Sequence, residues 1–546
     1  MRSPALLVLL LLAPGPARAE LPPSAFVTTD GTQFRVGGKP FVFVGANLET
    51  LQGPHFRAHY QATLDAARAD GLTVGRVWAF GEGASEADAA SEQLFRTAPD
   101  RFVEASFVQL DRVLAAARAR DLRLIITLGN HWNDYGGVAA YLAWAGLPTE
   151  GWGARDRFFS DPRTRAWFRA HAERLAGRVN TVTGVRYADD PTIFAWELFN
   201  ESQVQTPDGA IARRAFIAEM AGAVKARDPH HLVTPGVIGY TTRAERAEWL
   251  SVCRLPEVDY CDSHLYPSGA DRVFHEGELL AFIDDRVQLA HHVAKKPLVF
   301  GEFGFDTRSA EWLGRARAAW FGAFLERVFH DGAAGALVWI YQPWTGRPRD
   351  FGIYVDRPDT DDVRAVLRAL AARVRDAVPE ARNPRLSAAN GDRMLYDPYR
   401  VAHGSGPARV RSEGGRLTVV LDPERFASGR FERVGTFGDG GALHAYGAGD
   451  GWFEWEFTVE TPARARVGLS ARLSSEFPGK TAPPDGGSDV NVLVDGVRAG
   501  RLRVIPDDGA GRPERLRLPR LRAGRHLLRL EVPPGPRAHG LCVYAE

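Results

Sequence analysis

The chain has 546 residues, more than one hydrophobic core usually organises, and its 45% hydrophobic and 25% charged residues are those of an ordinary globular protein. Its 68 Lys and Arg balance 67 Asp and Glu, so no global field draws it to nucleic acid or to an anionic membrane surface. Two domains and a neutral partner are therefore expected.

Residues 1–19 read as an address. Arg2 precedes the apolar run Ala5 to Ala13, too short to span a bilayer, and Ala17-Arg18-Ala19 ends it in the small-residue pattern of a signal-peptide cleavage site. Export to the extracellular space or a periplasm is expected, with no membrane anchor left after cleavage.

From about residue 40 to 380, short apolar runs recur: FVFVGANL (41–48), VGRVWAF (74–80), RLIITLGN (123–130), TIFAWELFN (192–200), LVTPGVIG (232–239), VDYCDSHLY (258–266), PLVFGEFG (297–304) and GALVWIYQ (335–342). Each is continuously apolar, as strands buried on both faces are. Helix-period segments separate them, including YQATLDAARADG, FVQLDRVLAAARARD, AWFRAHAERLAGRV and AAWFGAFLERVFHDG. Asp161-Pro162 marks one helix start, and Gly71 and Gly332 follow two helix ends. Eight strand–helix pairs are the count of an α/β (β/α)₈ TIM barrel, whose chemistry sits on the loops after the strands. An open doubly wound sheet would want a glycine-rich phosphate turn after the first strand, and GANLET is not one. Cys253 and Cys261 have a spacing that allows a disulfide without requiring one, and Cys542 is left over.

Beyond the helix-period stretch 361–377, Asn383-Pro384 and GSG (404–406) read as a linker. Strand alternation then takes over in WFEWEFTVE, RARVGLSARLSS, SDVNVLVDGVRAGRLRVI, ERLRLPRLRAGRHLLRLEV and HGLCVYA, with turns at Asp495-Gly496 and Ala499-Gly500. The expected division is a signal peptide over 1–19, a barrel over 20–383 and an all-β, jelly-roll-like sandwich over 384–546. Its arginines alternate along strands, which favours a solvated face over a polyanion site.

Several strand ends are polar. Arg76 lies in strand two, His131 and Trp132 follow strand three, Asn200 and Glu201 close strand four, His264 and Tyr266 close strand six, Glu302 closes strand seven and Trp339 lies in strand eight. A barrel brings all of these to one rim. Two carboxylates with no metal-ligand spacing, and no cofactor motif, point to glycoside hydrolysis: one acid protonates the departing oxygen while the other meets the anomeric carbon. Arg76 and Tyr266 are placed to keep Glu302 charged, and repulsion between the two carboxylates to keep a proton on Glu201. Asn200 suits the sugar 2-hydroxyl and Trp339 the C–H face of the ring. Trp132, Trp144, Trp152, Trp312 and Trp344 are candidate sugar platforms, with Trp132 and Trp344 the best placed.

This constellation resembles family 5 glycoside hydrolases of the retaining barrel clan, whose Asn-Glu after strand four and Glu after strand seven are matched by Asn200-Glu201 and Glu302. RVWAF, GNHWNDYGGVAAYLAWAG, AWELFNES, HLYP and KPLVFGEFG further resemble the endo-β-1,4-mannanases of fungal and plant type, with Asn130-His131 in place of their Asn pair. The resemblance implies Glu201 as acid/base, Glu302 as nucleophile, and Arg76, Trp132, Asn200, His264, Tyr266, Trp339 and Trp344 as substrate-binding residues. It implies a polysaccharide substrate, no cofactor and a monomer. A β-1,4-glucanase or an exo-β-mannosidase would use the same machinery with different subsites, and an inactive polysaccharide-binding protein would have no need of both carboxylates. The carboxyl-terminal pattern resembles the carbohydrate-binding modules appended to such hydrolases; a stabilising domain would read the same way.

Overall fold

The computed structural model describes residues 25–375 and 400–544, apart from 50, 52, 54–55, 84–92, 241–242, 267, 270–271, 274–275, 308–315, 345–350, 402–406, 414, 422, 424–427, 440–441, 461–464, 476–486 and 507–510. The expected signal peptide, the linker at 383–384 and 404–406, and Trp312 lie outside the described residues.

All eight apolar runs form strands of one parallel sheet: β1 (Phe43–Asn47), β2 (Val74–Trp78), β3 (Arg123–Thr127), β4 (Ile193–Glu197), β5 (Leu232–Thr234), β6 (Cys261–Leu265), β7 (Leu298–Phe303) and β8 (Gly335–Val338). The order β5-β4-β3-β2-β1-β8-β7-β6 leaves one seam, between β5 and β6. It is bridged by backbone hydrogen bonds from Asp259 to Val233 (2.8 Å) and from His264 to Ile238 (3.0 Å), which completes the barrel. Helices Tyr60–Ala69, Glu104–Arg118, Pro162–Ala176 and Arg317–His330 fall on the four helix-period segments. Asp161 caps the third, accepting from the Arg163 N–H at 2.9 Å, and Pro162 opens it.

An antiparallel meander of Val27–Asp30, Gln33–Val36 and Lys39–Phe41 precedes the barrel. Its Phe34 packs edge-on against Phe194 and Tyr260 at 5.1 and 5.3 Å, in a buried cluster with Phe43, Val74, Ile125 and Val299 from the starts of the strands. The amino-terminal end of the barrel is thereby plugged with apolar side chains. Chemistry is left to the opposite rim.

The carboxyl-terminal region is all β, as its alternation predicts. Ala442–Val459 pairs antiparallel with both Ser428–Asp439 and Gly524–Val532, and Val467–Ser474 and Ser488–Val494 alternate buried and partly exposed residues. Phe453, Trp455, Phe457, Leu469, Val490 and Leu528 fill its core. Asp495 and Gly496, at φ 50° and 76°, form the expected two-residue turn between Ser488–Val494 and Val497–Val504; positive φ at both positions is what a type I′ hairpin demands and what favours glycine there. Ala499-Gly500 is not a turn: both residues lie inside Val497–Val504, and Gly500 is small because a Cβ there would come within 2.6 Å of Leu516. A hairpin of 268–269 and 272–273, on the connection that follows β6, pairs through Val273 with Thr436 of this region. Cys253, Cys261 and Cys542 are buried, and none of them is in a disulfide.

Candidate active site

The rim is assembled by strand register that persists beyond the strands. Asn200 donates its N–H to Gly129 O at 2.6 Å and accepts from the His131 N–H at 3.1 Å, so the ends of β3 and β4 stay paired. The next residue, Glu201, adopts φ 58°, a backbone conformation costly for a non-glycine residue and characteristic of sites held in place by their surroundings. Its carboxylate is set by two partners: Oε1 lies 2.7 Å from His264 Nδ1, and Oε2 accepts from the Trp132 indole at 2.6 Å. Across the mouth, Glu302 Oε1 accepts from Arg76 at 2.7 Å and Oε2 from the Tyr266 hydroxyl at 2.5 Å. An oxygen of Glu201, one of Glu302 and a nitrogen of His264 all lie within 4.8 Å of one another.

Beneath the carboxylates is a buried polar layer. Arg76 is 1% exposed, and protein acceptors take up its donors. Nε and Nη2 grip Glu197 at 2.6 and 2.9 Å, Nη1 reaches Asn47 and Glu302, and Nη2 also reaches Asn200 at 2.8 Å. Thr127 Oγ1 donates to Glu197 at 2.8 Å. Burial opposes the charge on Arg76, but the carboxylates of Glu197 and Glu302 hold it firmly protonated. Arg76 and the buried His264 therefore support the carboxylates through these bonds.

The titration order differs from the sequence expectation. Burial raises the Glu201 carboxyl, but the His264 and Trp132 bonds outweigh it and hold it below its ordinary value. Glu302 is pushed up to about 6, by burial first and by the charge of Glu201, against the pull of His264, Arg76 and Tyr266. The Tyr266 phenol is raised well above its ordinary value, by burial and then by Glu302, so it stays a donor.

Trp132 is 39% exposed while its indole N–H is committed to Glu201, which suits a ring that meets substrate. Trp152 is 37% exposed. Trp339 is half-buried and packs on Trp78 at 5.8 Å, and Trp344 is wedged between Tyr354 and the Arg357 guanidinium. Trp144 is half-buried and packs against Tyr141, Trp167 and Arg96. His131, where the Asn pair is broken, is buried and driven down to about 3 by burial and by the nearby Arg155 and Arg213, so it is neutral and turned away from solvent. Asn130 orients the site instead, bonding Asn200 Nδ2 and the Trp132 N–H through its Oδ1. Asn47, Glu197 and Asp262 are residues that sequence reasoning did not single out, and Asn130 was read only as half of the broken Asn pair. The signal available was a charged residue interrupting an apolar strand, as Glu197 does in IFAWE and Asp262 in CDSHL.

This geometry coincides with a family-model match over residues 24–354, described as glycoside hydrolase family 5, β-mannosidase-like. The chain is a member of that glycoside hydrolase family. It is 33% identical over 344 residues to a rice protein named putative mannan endo-1,4-β-mannosidase 9, covering 59% of this chain and 82% of the relative. The Rhizomucor miehei endo-1,4-β-mannanase structure superposes with a TM-score of 0.55 at 25% identity, over 64% of this chain and 99% of that one. A Thermotoga petrophila endo-β-1,4-mannanase structure aligns over 93% of this chain and 98% of its own, with a TM-score of 0.54 at 21% identity.

Proposed function

We propose that this hydrolase cleaves internal β-1,4-mannosidic bonds of mannan-type polysaccharides by double displacement, Glu302 acting as nucleophile and Glu201 as acid and then base. The observation that carries the reading is the carboxyl pair, with an oxygen of each and a His264 nitrogen mutually within 4.8 Å. That proximity supports the separation of about 5–5.5 Å used in retention and leaves little room for the water that inversion needs. The names of the relatives support mannan as the polymer.

In this mechanism the sugar ring settles against Trp132 and Trp339, and its glycosidic oxygen takes the place of the Trp132 indole beside Glu201. That oxygen only accepts hydrogen bonds, so it favours the protonated form of Glu201 where the indole N–H favours the ionised one. Glu302, between Arg76 and Tyr266, attacks the anomeric carbon as Glu201 gives its proton to the leaving oxygen. Water, activated by the carboxylate of Glu201, then releases the sugar with its configuration kept.

Among the described residues no helix is long and apolar enough to cross a membrane. The leader pattern at residues 1–19 supports export, where a polymer substrate would be met.

The test is a polysaccharide panel with sizing of products and proton NMR of the first anomer formed. Short β-mannan oligomers released from the start, with the β anomer first, are expected. Preferential cleavage of β-glucan, release of mannose alone, or an α anomer appearing first would overturn the polymer, the internal cleavage and the retaining mechanism respectively.

A further inference from the structure

On the side of His264 away from Glu201 lies a carboxylate outside the strand-end motif. Asp262, on β6, is 2% exposed. Its Oδ1 accepts from the Gly301 N–H at 3.0 Å, the backbone group immediately before the nucleophile. So close an approach needs a glycine at 301, because a Cβ there would stand 2.3 Å from that oxygen. Asp262 Oδ2 is 3.4 Å from His264 Nε2, and neither atom has a hydrogen-bond partner elsewhere among the described residues. On its opposite edge the ring presents Nδ1 to Glu201 at 2.7 Å and to Glu302 at 3.6 Å.

Both imidazole nitrogens thus face carboxylate oxygens. A neutral ring has one donor and one acceptor and satisfies only one of them; an imidazolium, with two donors, satisfies both. The groups around it lead to the same conclusion. Glu197 and Glu201 approach from β4 and its end, Glu302 from β7, Asp262 and the neutral Tyr266 from β6 and its end, and Arg76 from β2. Four carboxyl groups against one guanidinium leave the buried cluster short of positive charge.

We propose that Asp262 is a positioning residue for the reaction: facing Nε2, it holds His264 as an imidazolium whose Nδ1–H points at Glu201. The cation then stabilises the carboxylate that Glu201 becomes when it gives up its proton, and Asp262 acts on the chemistry only through that ring. Burial works against the cation, but Glu302, Asp262 and the bond to Glu201 outweigh it and raise the His264 pKa well above the ordinary value. The inference rests on the hydrolase reading only for its kinetic part.

Two measurements on the full chain test it. In ¹⁵N-histidine NMR, the wild-type His264 ring should stay doubly protonated through neutral pH, and in Asp262→Asn it should lose a proton in that range. In pH profiles of kcat/KM on β-mannan oligosaccharides, whose leaving groups need the proton of Glu201, Asp262→Asn should move the alkaline limb about one pH unit or more to higher pH. In a His264→Gln background the same change should move it no further. A merely structural role would lower the whole profile without moving it. An unmoved limb, a ring unchanged by the substitution, or an equal displacement with and without His264 would each overturn the proposal. Asp262→Ser, which keeps an oxygen for the Gly301 N–H while removing the charge, serves if the asparagine variant does not fold. A wild-type protein inactive on every mannoside would defeat the functional reading while leaving the NMR test intact.

Discussion

Replacing Glu302 by Gln should abolish turnover and, at neutral pH, make the protein more stable. The carboxyl is 3% exposed and titrates at about 6 in the fold, against 4.5 in an unfolded chain. Because the folded value is the higher one, the folded state holds its proton more tightly. Below pH 4.5 both states are protonated and the group contributes nothing. As pH rises from 4.5 to 6, ionisation costs the folded state about 2 kcal/mol, a penalty that persists at higher pH. Gln has nearly the shape of the protonated acid and no ionisation, so the variant escapes that penalty. With about 2.1 cal/mol/K of unfolding entropy per residue and roughly 350 residues in the barrel, 2 kcal/mol corresponds to about 3 °C in Tm. The assay is scanning calorimetry of both proteins at pH 4 and pH 7, at one scan rate, beside turnover on mannan. The difference in Tm between variant and wild type should grow by about 3 °C from pH 4 to pH 7. A difference independent of pH, or a variant that still cleaves polymer at near wild-type rate, would refute the reasoning.

Glu201→Gln should slow polymer cleavage by about 10²–10⁴-fold, the usual worth of a general acid, with much smaller loss on aryl mannosides whose leaving groups need no proton; equal loss on both substrate types would remove Glu201 from the acid role. Trp132→Phe deletes the indole donor that holds Glu201 below its ordinary value, so the alkaline limb of kcat/KM should move to higher pH, and a limb unmoved or displaced toward acid would contradict the assignment. Removing the chain beyond about residue 383 should lower Tm and affect soluble and insoluble mannan alike, because no large aromatic of the β region is exposed among the described residues, Trp455 is in its core and Trp452 lies under Arg529. Loss confined to insoluble mannan would instead make the region a polysaccharide anchor.

Much of this protein is written in local pattern. Eight apolar runs and their intervening helix periods give a barrel because strands buried on both faces can carry no alternation, and all eight runs are strands in the structure. Polar residues at the ends of such runs, Glu201 and Glu302 above all, were legible for the same reason: an apolar strand that ends in Asn-Glu has its polar end where the fold leaves an opening. The Asp495-Gly496 hairpin followed from two residues that tolerate positive φ.

What the sequence left open depends on distances between segments far apart in the chain. Arg76 reads as a rim residue, and only the closed barrel, joining it to Glu197 121 residues away and to Glu302 226 residues away, makes it a buried support. The order of the two carboxyl pKa values was inaccessible for the same reason, since it turns on which donors reach which oxygen: Trp132 and His264 meet at Glu201, although 69 and 63 residues separate them from it. Asp262 could be seen to interrupt an apolar run but not to face an imidazole, and Gly301 could not be seen to make room for it. Strand and helix periods are set by neighbours along the chain, whereas proton affinities in a barrel mouth are set by charges a few ångströms apart, and which charges those are is decided when the sheet closes.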